Sequence, residues 1–221
     1  MKSVIICGGG YSIQEGINLD LWSKLKSFLS SGLEIWSINY AFLTMPYLPH
    51  REVWIDISFF KNNIEKLQNL YKQGVKCYAK KHNIYATIPE IITYECTREA
   101  NQSKDKIFIG RMGLSGFFAL HLACKETYSP IYLLGFDFGS DSLDNKLTHY
   151  YQNKLQVIST GVGKPSLYRN EKGQIKDEIR DFELFLSYPS KIYNVSLNSN
   201  IPYFQKISYE EFFKLLENEK V

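Results

Sequence analysis

The chain has 221 residues, 44% of them hydrophobic, and a formal net charge of +3. That length holds one large domain with a full core, or one domain with a small lid. The mild charge predicts no general nucleic-acid binding. No apolar run approaches the ~20 residues that span a bilayer. The cysteines Cys7, Cys77, Cys96 and Cys124 form no CxxC pair, which predicts reduced thiols in a cytoplasmic protein rather than a zinc site or a disulfide framework. A strand begins within two residues of the N-terminus, so no signal peptide is expected.

In chain order, Ser3 to Cys7 is a continuous apolar run suited to a strand buried on both faces of a parallel sheet. Gly8, Gly9 and Gly10 follow, then Ser12. Leu21, Trp22, Leu25, Phe28 and Leu29 recur at helical spacing and predict an amphipathic helix over 19–31, ended by Gly32. Leu33–Ile38 reads as a strand ending at Asn39, and Val53–Ile55 as a strand leading to Asp56. Residues 61–73 predict a helix capped by Gly74, and Val75–Ala79 a further strand. Residues 80–105 are polar and irregular, and Ile107–Ile109 is a short strand. The glycine-rich turn Gly110–Gly116 carries Ser115 as N-cap of a helix over 116–127. Ile131–Leu134 is a buried strand that runs into Gly135-Phe-Asp-Phe-Gly139. Residues 140–174 form a long polar connection expected to act as a lid or binding loop. A helix over 175–187, a strand over Ile192–Leu197 and a terminal helix opened by the capping box Ser208–Glu211 complete the chain.

Strands alternate with helices, which predicts a single α/β domain over 1–221: an open, mainly parallel, Rossmann-like sheet with helices on both faces. Ligands of such sheets bind beyond the carboxyl ends of the strands. That rule gathers Gly8, Gly9, Gly10, Ser12, Asn39, Asp56, Ser115, Gly116 and Asp137 on one edge. A strand, a glycine turn and a helix start can present backbone amides to a phosphate. The GxGxxG pattern fails at Ile13, and no Gly-Lys-Ser/Thr follows. Asn39 can bond a base or ribose, and Asp56 a metal or hydroxyl. Asp137, set between two phenylalanines and two glycines, needs a partner for its carboxylate. His149 in Thr148-His-Tyr-Tyr151 can accept a proton from an attacking hydroxyl. Each has a plainer role beside this one: a tight turn, an Asx-turn before a helix, a helix cap or a surface histidine.

Gly8-Gly-Gly-Tyr-Ser12 resembles the GxGxS opening of the DUF115, or MptE-like, family, which includes archaeal 6-hydroxymethylpterin diphosphokinases. The outline is similar to the bacterial sialyltransferases of glycosyltransferase family 42 and to the flagellin-modifying motility accessory factors. Ser115-Gly116 before an apolar helix, Ile131-Tyr-Leu-Leu-Gly-Phe-Asp-Phe-Gly139 and Asn194-Val-Ser-Leu-Asn-Ser199 carry the rest of the likeness. The resemblance implies a nucleotide-dependent transferase. In its sialyltransferase-like form a glycosyl group passes from a CMP-sugar to a hydroxyl on a small molecule or glycan, without a cofactor. Gly8, Gly9, Gly10, Ser12, Asn39, Ser115 and Gly116 then bind the nucleotide, and Asp137 and His149 act in catalysis. In its diphosphokinase form Asp56 and Asp137 hold Mg²⁺ with ATP. A non-catalytic nucleotide-binding protein is the third alternative, and family relatives suggest a homo-oligomer. Two departures stand out. Gly9 replaces an asparagine usual in the sialyltransferases, and their His-Tyr-x-x-His run reads His149-Tyr-Tyr-Gln-Asn153 here.

Overall fold

Val4–Cys7 (β1) sends Val4 and Ile6 to one face of a sheet and Ile5 and Cys7 to the other, and no solvent reaches any of them. A strand that is apolar on both sides needs a layer on each, and helices supply both. A computed structural model describes residues 2–102, 104–111, 113–138 and 177–218. Its main sheet adds Glu34–Ile38 (β2), Arg51–Trp54 (β3), Lys76–Lys80 (β4), Ile91–Tyr94 (β5), Ile131–Leu134 (β8), Ile192–Asn194 (β9) and Gln205–Lys206 (β10). The order is β10-β9-β8-β1-β2-β3-β4-β5, and every neighbouring pair is parallel. Cys96–Thr97 (β6) and Ile107–Phe108 (β7) form a separate two-stranded sheet. This is the open, parallel, Rossmann-like arrangement that the alternating pattern predicts.

The helices are Ser12–Asn18 (α1), Leu21–Lys26 (α2), Ile57–Asn62 (α3), Ile64–Lys72 (α4), Ser115–Lys125 (α5), Asp177–Arg180 (α6) and Tyr209–Asn218 (α7), with a 3-10 segment over Asp181–Ser187. On one face Val4, Ile6, Trp36, Ile38, Val53 and Leu133 pack against α5 and the 3-10 segment. On the other, Ile5, Cys7, Ile35, Tyr132 and Leu134 pack against α1, α2 and α7, while Trp54, Cys77 and Ala79 meet α3 and α4. Nine of the eleven residues of α5 are buried, so it is a core helix rather than a half-wetted one.

Several boundaries differ from the sequence expectation. The helix expected over 19–31 is broken: α1 starts earlier, at Ser12, and Asp20 takes a left-handed φ of 59° before α2. The helix expected over 61–73 divides at Asn63, whose amide Nδ2 donates to the Phe59 carbonyl. Residues 80–105 contain the edge strand β5 and also β6, and the short strand at 107 pairs with β6 instead of joining the main sheet. The capping box holds as expected: Ser208 N donates to Glu211 Oε2 at 2.9 Å, and Glu211 N to Ser208 Oγ at 3.2 Å.

Chain direction across the sheet reverses once. From β1 the strands run β2 to β5 one way and β8 to β10 the other. The switch point therefore lies between β1 and β8, and their carboxyl ends open onto the crevice where doubly wound sheets place ligands.

Candidate functional site

Two loops meet at that switch point: residues 8–12 after β1 and residues 135–138 after β8. Their contact explains the glycines. A Cβ built on Gly8 would lie 2.8 Å from the Gly135 carbonyl oxygen. One on Gly10 would lie 2.7 Å from that same oxygen and 2.4 Å from Asp137 Oδ2. Gly135 itself has φ +71°, and a side chain there would meet Ile13 and the Gly10 amide. Glycine is required at these three positions by close packing and, at Gly135, by backbone conformation as well.

The amides of the first loop alternate in their use. Gly8 N donates to the Leu134 carbonyl at 2.7 Å, Gly10 N to the Gly135 carbonyl at 2.9 Å, and Ser12 N to Asp137 Oδ2 at 2.8 Å. Gly9 N and Tyr11 N carry no hydrogen bond among the described residues. Ser12 is 8% exposed, and its buried hydroxyl also has no partner among them. The anion expected at the start of α1 is thus supplied, at the Ser12 amide, by the chain's own carboxylate. Asp137 is 2% exposed. Burial, then the negative charges of Glu210 and Asp137, push the nearby Glu15 carboxyl up. Residues 8–12 therefore leave two amides unbonded in the loop that contacts a buried carboxylate, a pairing that suits a ligand carrying both an oxyanion and hydroxyl groups.

The loop after β8 is held from its other side by residues the sequence reading gave no role. Asn194 Nδ2 donates to the Phe136 carbonyl at 3.1 Å and to Ser199 Oγ at 2.8 Å. Ser199 Oγ donates to the same carbonyl at 2.7 Å. Asn200 N donates to the Asp137 carbonyl at 2.7 Å, and Asn200 Nδ2 to the Phe138 carbonyl at 2.9 Å. Asn194 closes β9, and Ser199 and Asn200 follow it; polar residues at a strand exit were the available signal in Asn194–Asn200.

Asn39 and Ser115 form a second group. Asn39 follows β2 with φ 55°, in the left-handed region that asparagine tolerates better than most residues. Ser115 Oγ donates to Asn39 Oδ1 at 3.4 Å and accepts from the Ile55 amide at 3.2 Å. Ser115 is therefore not the N-cap of α5; Leu114 holds that place, and the serine hydroxyl ties the exits of β2 and β3 together. Gly116 makes room for a neighbour: a Cβ there would be 3.0 Å from Phe136 Cε1. The Phe136 ring also lies 3.4 Å from a Cβ built on Gly8. Phe136 thus separates the Asn39–Ser115 group from the glycine turn. The turn before α5 is fixed separately, with Arg111 N donating to Asp181 Oδ2 at 2.8 Å and Arg111 Nε 3.2 Å from Oδ1. It borders a cavity of about 410 Å³ lined by Arg98, Phe108, Arg111 and Asp181 among others.

Asp56 caps α3: its Oδ1 accepts from Ser58 N at 3.0 Å and from Ser58 Oγ at 2.9 Å. It follows β3, whereas Asp137 follows β8, three strands away. At ~4.8 Å per strand the two exits stand roughly 14 Å apart, so one Mg²⁺ cannot take both carboxylates as they stand. Among the described residues no three His, Cys, Asp or Glu side chains cluster to hold a metal ion. His149 and the 140–174 segment lie outside the described residues. No described helix is long and apolar enough to cross a membrane.

No protein-family model and no curated protein sequence matches the chain. Among solved structures it is similar to one described as the MAf glycosyltransferase from Magnetospirillum magneticum AMB-1, with a TM-score of 0.57 and 13% sequence identity. The match covers 99% of this chain and 36% of that one, so the chain spans about a third of that protein's length. At this identity the likeness is one of fold.

Proposed function

We propose that the chain is a nucleotide-dependent transferase that moves a glycosyl group from a nucleotide sugar, of the CMP-linked acid-sugar type, to a hydroxyl on a small molecule or glycan. One observation carries the reading. At the β1/β8 switch point, the unbonded amides of Gly9 and Tyr11 and the buried Ser12 hydroxyl stand beside the buried Asp137 carboxylate. The amides suit the phosphate oxygens of the donor, and the carboxylate suits a sugar hydroxyl. Asn39, with Ser115 behind it, takes the base or ribose. The fold likeness to a glycosyltransferase supports the same class.

In this reaction the bond between the donor's anomeric carbon and its phosphate oxygen breaks. The acceptor oxygen bonds to that carbon, and its proton passes to a base. We assign the base to His149, whose neutral imidazole is suited to the task near pH 7. ATP- and Mg²⁺-dependent pyrophosphoryl transfer ranks behind this reading because Asp56 caps a helix three strands from Asp137. The test is His149→Ala, assayed with CMP-linked acid sugars. Transfer is expected to fall on the order of 10²–10⁴-fold, with nucleotide affinity unchanged. Full transfer by the variant would remove His149 from the mechanism, and activity abolished by EDTA would favour the pyrophosphoryl reading.

A further inference from the structure

Residues 135–138 run beyond the end of β8, where no strand ladder holds them. Leu133 belongs to the face of α5 and Leu134 to that of α1, as strand alternation requires. The left-handed Gly135, with φ +71°, resets the alternation. Phe136 therefore returns to the α5 face, and Phe138 packs on that face as well. Asp137 stands between them and reaches the Ser12 amide at the start of α1. The direction of its carboxylate is thus set by the backbone on either side of it.

Phe138 has φ 49°. That region crowds a Cβ against the backbone, and a phenylalanine persists there only where its surroundings hold it. Asn200 provides the hold. Asn200 N donates to the Asp137 carbonyl at 2.7 Å, and Asn200 Nδ2 donates to the Phe138 carbonyl at 2.9 Å. These two carbonyls flank the φ and ψ bonds of Phe138, so gripping both fixes its backbone. Successive carbonyls of an extended chain point to opposite sides, and one residue reaches both here because the chain turns between them. Asn200 is itself anchored. The Ser199 hydroxyl accepts from Asn194 Nδ2 at 2.8 Å and from Ile201 N at 3.1 Å, and donates to the Phe136 carbonyl at 2.7 Å. That uses its one hydrogen and both lone pairs. Lys206 Nζ of β10 donates to the Ser199 carbonyl at 2.5 Å.

We propose that Asn200 is a positioning residue that holds Phe138 in its left-handed turn and so keeps the Asp137 carboxylate on the Ser12 amide. It acts through Phe138 and Asp137 rather than on the ligand. The consequence for ligand affinity rests on the nucleotide-binding reading; the positioning of Asp137 does not.

The test is amide hydrogen exchange by NMR on the full chain, with CMP as the binding probe. Asn200→Ala removes the bond to Phe138, and the Ser12 amide is expected to exchange about tenfold faster than in the wild type, while Ile5 in β1 is unchanged. If Asn200→Ala fails to fold, Asn200→Asp carries the same comparison, since it keeps the shape and loses the donor. Adding Phe138→Gly to Asn200→Ala is expected to recover part of the Ser12 protection, because glycine takes a left-handed φ without the Cβ penalty. Equal Ser12 exchange in wild type and variant would overturn the proposal. So would an equal rise at Ile5, which reports general loosening, or a double variant no better protected than the single one. CMP affinity is expected to weaken about tenfold in Asn200→Ala. If the wild type binds no CMP while exchange behaves as expected, the nucleotide reading falls and the positioning role stands.

Discussion

A methyl group added at Gly10 would lie 2.4 Å from Asp137 Oδ2 and 2.7 Å from the Gly135 carbonyl oxygen, and one of these is backbone that cannot rotate away. Gly10→Ala must therefore part the β1 and β8 loops or turn Asp137 off the Ser12 amide. We expect a loss of about 1–3 kcal/mol in unfolding free energy by urea denaturation, together with loss of ligand binding. Gly32→Ala is the useful contrast. Nothing lies within 4 Å of its Cβ position, so only its φ of +89° opposes a side chain, which costs about 1–2 kcal/mol and leaves the crevice intact. Equal ligand binding in wild type and Gly10→Ala would mean that the crevice does not depend on the loop contact. The glycine triplet was legible in the sequence as a turn that does more than reverse the chain. What stayed hidden was its partner. Gly8 and Gly10 make room for Gly135 and Asp137, more than a hundred residues later, and no local pattern encodes that pairing. Asn39 was legible as a strand exit, whereas the buried carboxyl of the neighbouring strand, Glu52, sits in a run that reads as ordinary strand.

At the scale of elements, α5 is the keystone of one face, and a buried histidine pins it. His121 Nδ1 accepts from the Phe108 amide of β7 at 2.6 Å, which places the ring hydrogen on Nε2, 2.5 Å from the Tyr188 hydroxyl. Burial, and then the charge of Lys125, lower the His121 pKa from 6.5 to about 4. The sign follows from linkage. Between pH 6.5 and 4 the unfolded chain binds a proton that the folded chain refuses, so stability is full above pH 6.5 and falls as the pH drops towards 4. The loss approaches about 3 kcal/mol, measurable as a fall in the urea midpoint between pH 7.5 and pH 4.5. In His121→Leu that part of the pH dependence is expected to disappear, although the Phe108 amide left without its acceptor lowers stability at every pH. An unchanged pH profile in the variant would contradict the assignment. The helix itself was readable from its continuous apolar run. The role of Ser115 was not, because a serine before a helix looks like a cap whichever acceptor its hydroxyl finds. The break in the first helical stretch was hidden too. Leu19 and Trp22 keep helical spacing across Asp20, and spacing alone does not report a left-handed residue.

Over the whole molecule, the alternation of strands and helices was enough to give the parallel sheet, since short connections and crossovers leave few other topologies. It did not give the strand order. Placing β8 against β1, and so the switch point against the glycine turn, depends on contacts between Val4–Cys7 and Ile131–Leu134 that any two apolar strands could make. That order brings the exits of β1 and β8 together and leaves Asp56 three strands away, the arrangement on which the proposed nucleotide-sugar reading rests. The measurement that tests this most directly is a thermal-shift panel of CMP, CDP, UDP, GDP, ATP and AMP, with and without Mg²⁺, on wild type, Asn39→Ala and Asp137→Asn. A ligand at ~100 times its dissociation constant adds about 2.7 kcal/mol, roughly 5–10 °C for a chain of this size. The account predicts that shift for a cytidine nucleotide without Mg²⁺ in the wild type, reduced in both variants. No shift with any nucleotide, or a shift that both variants retain in full, would contradict it.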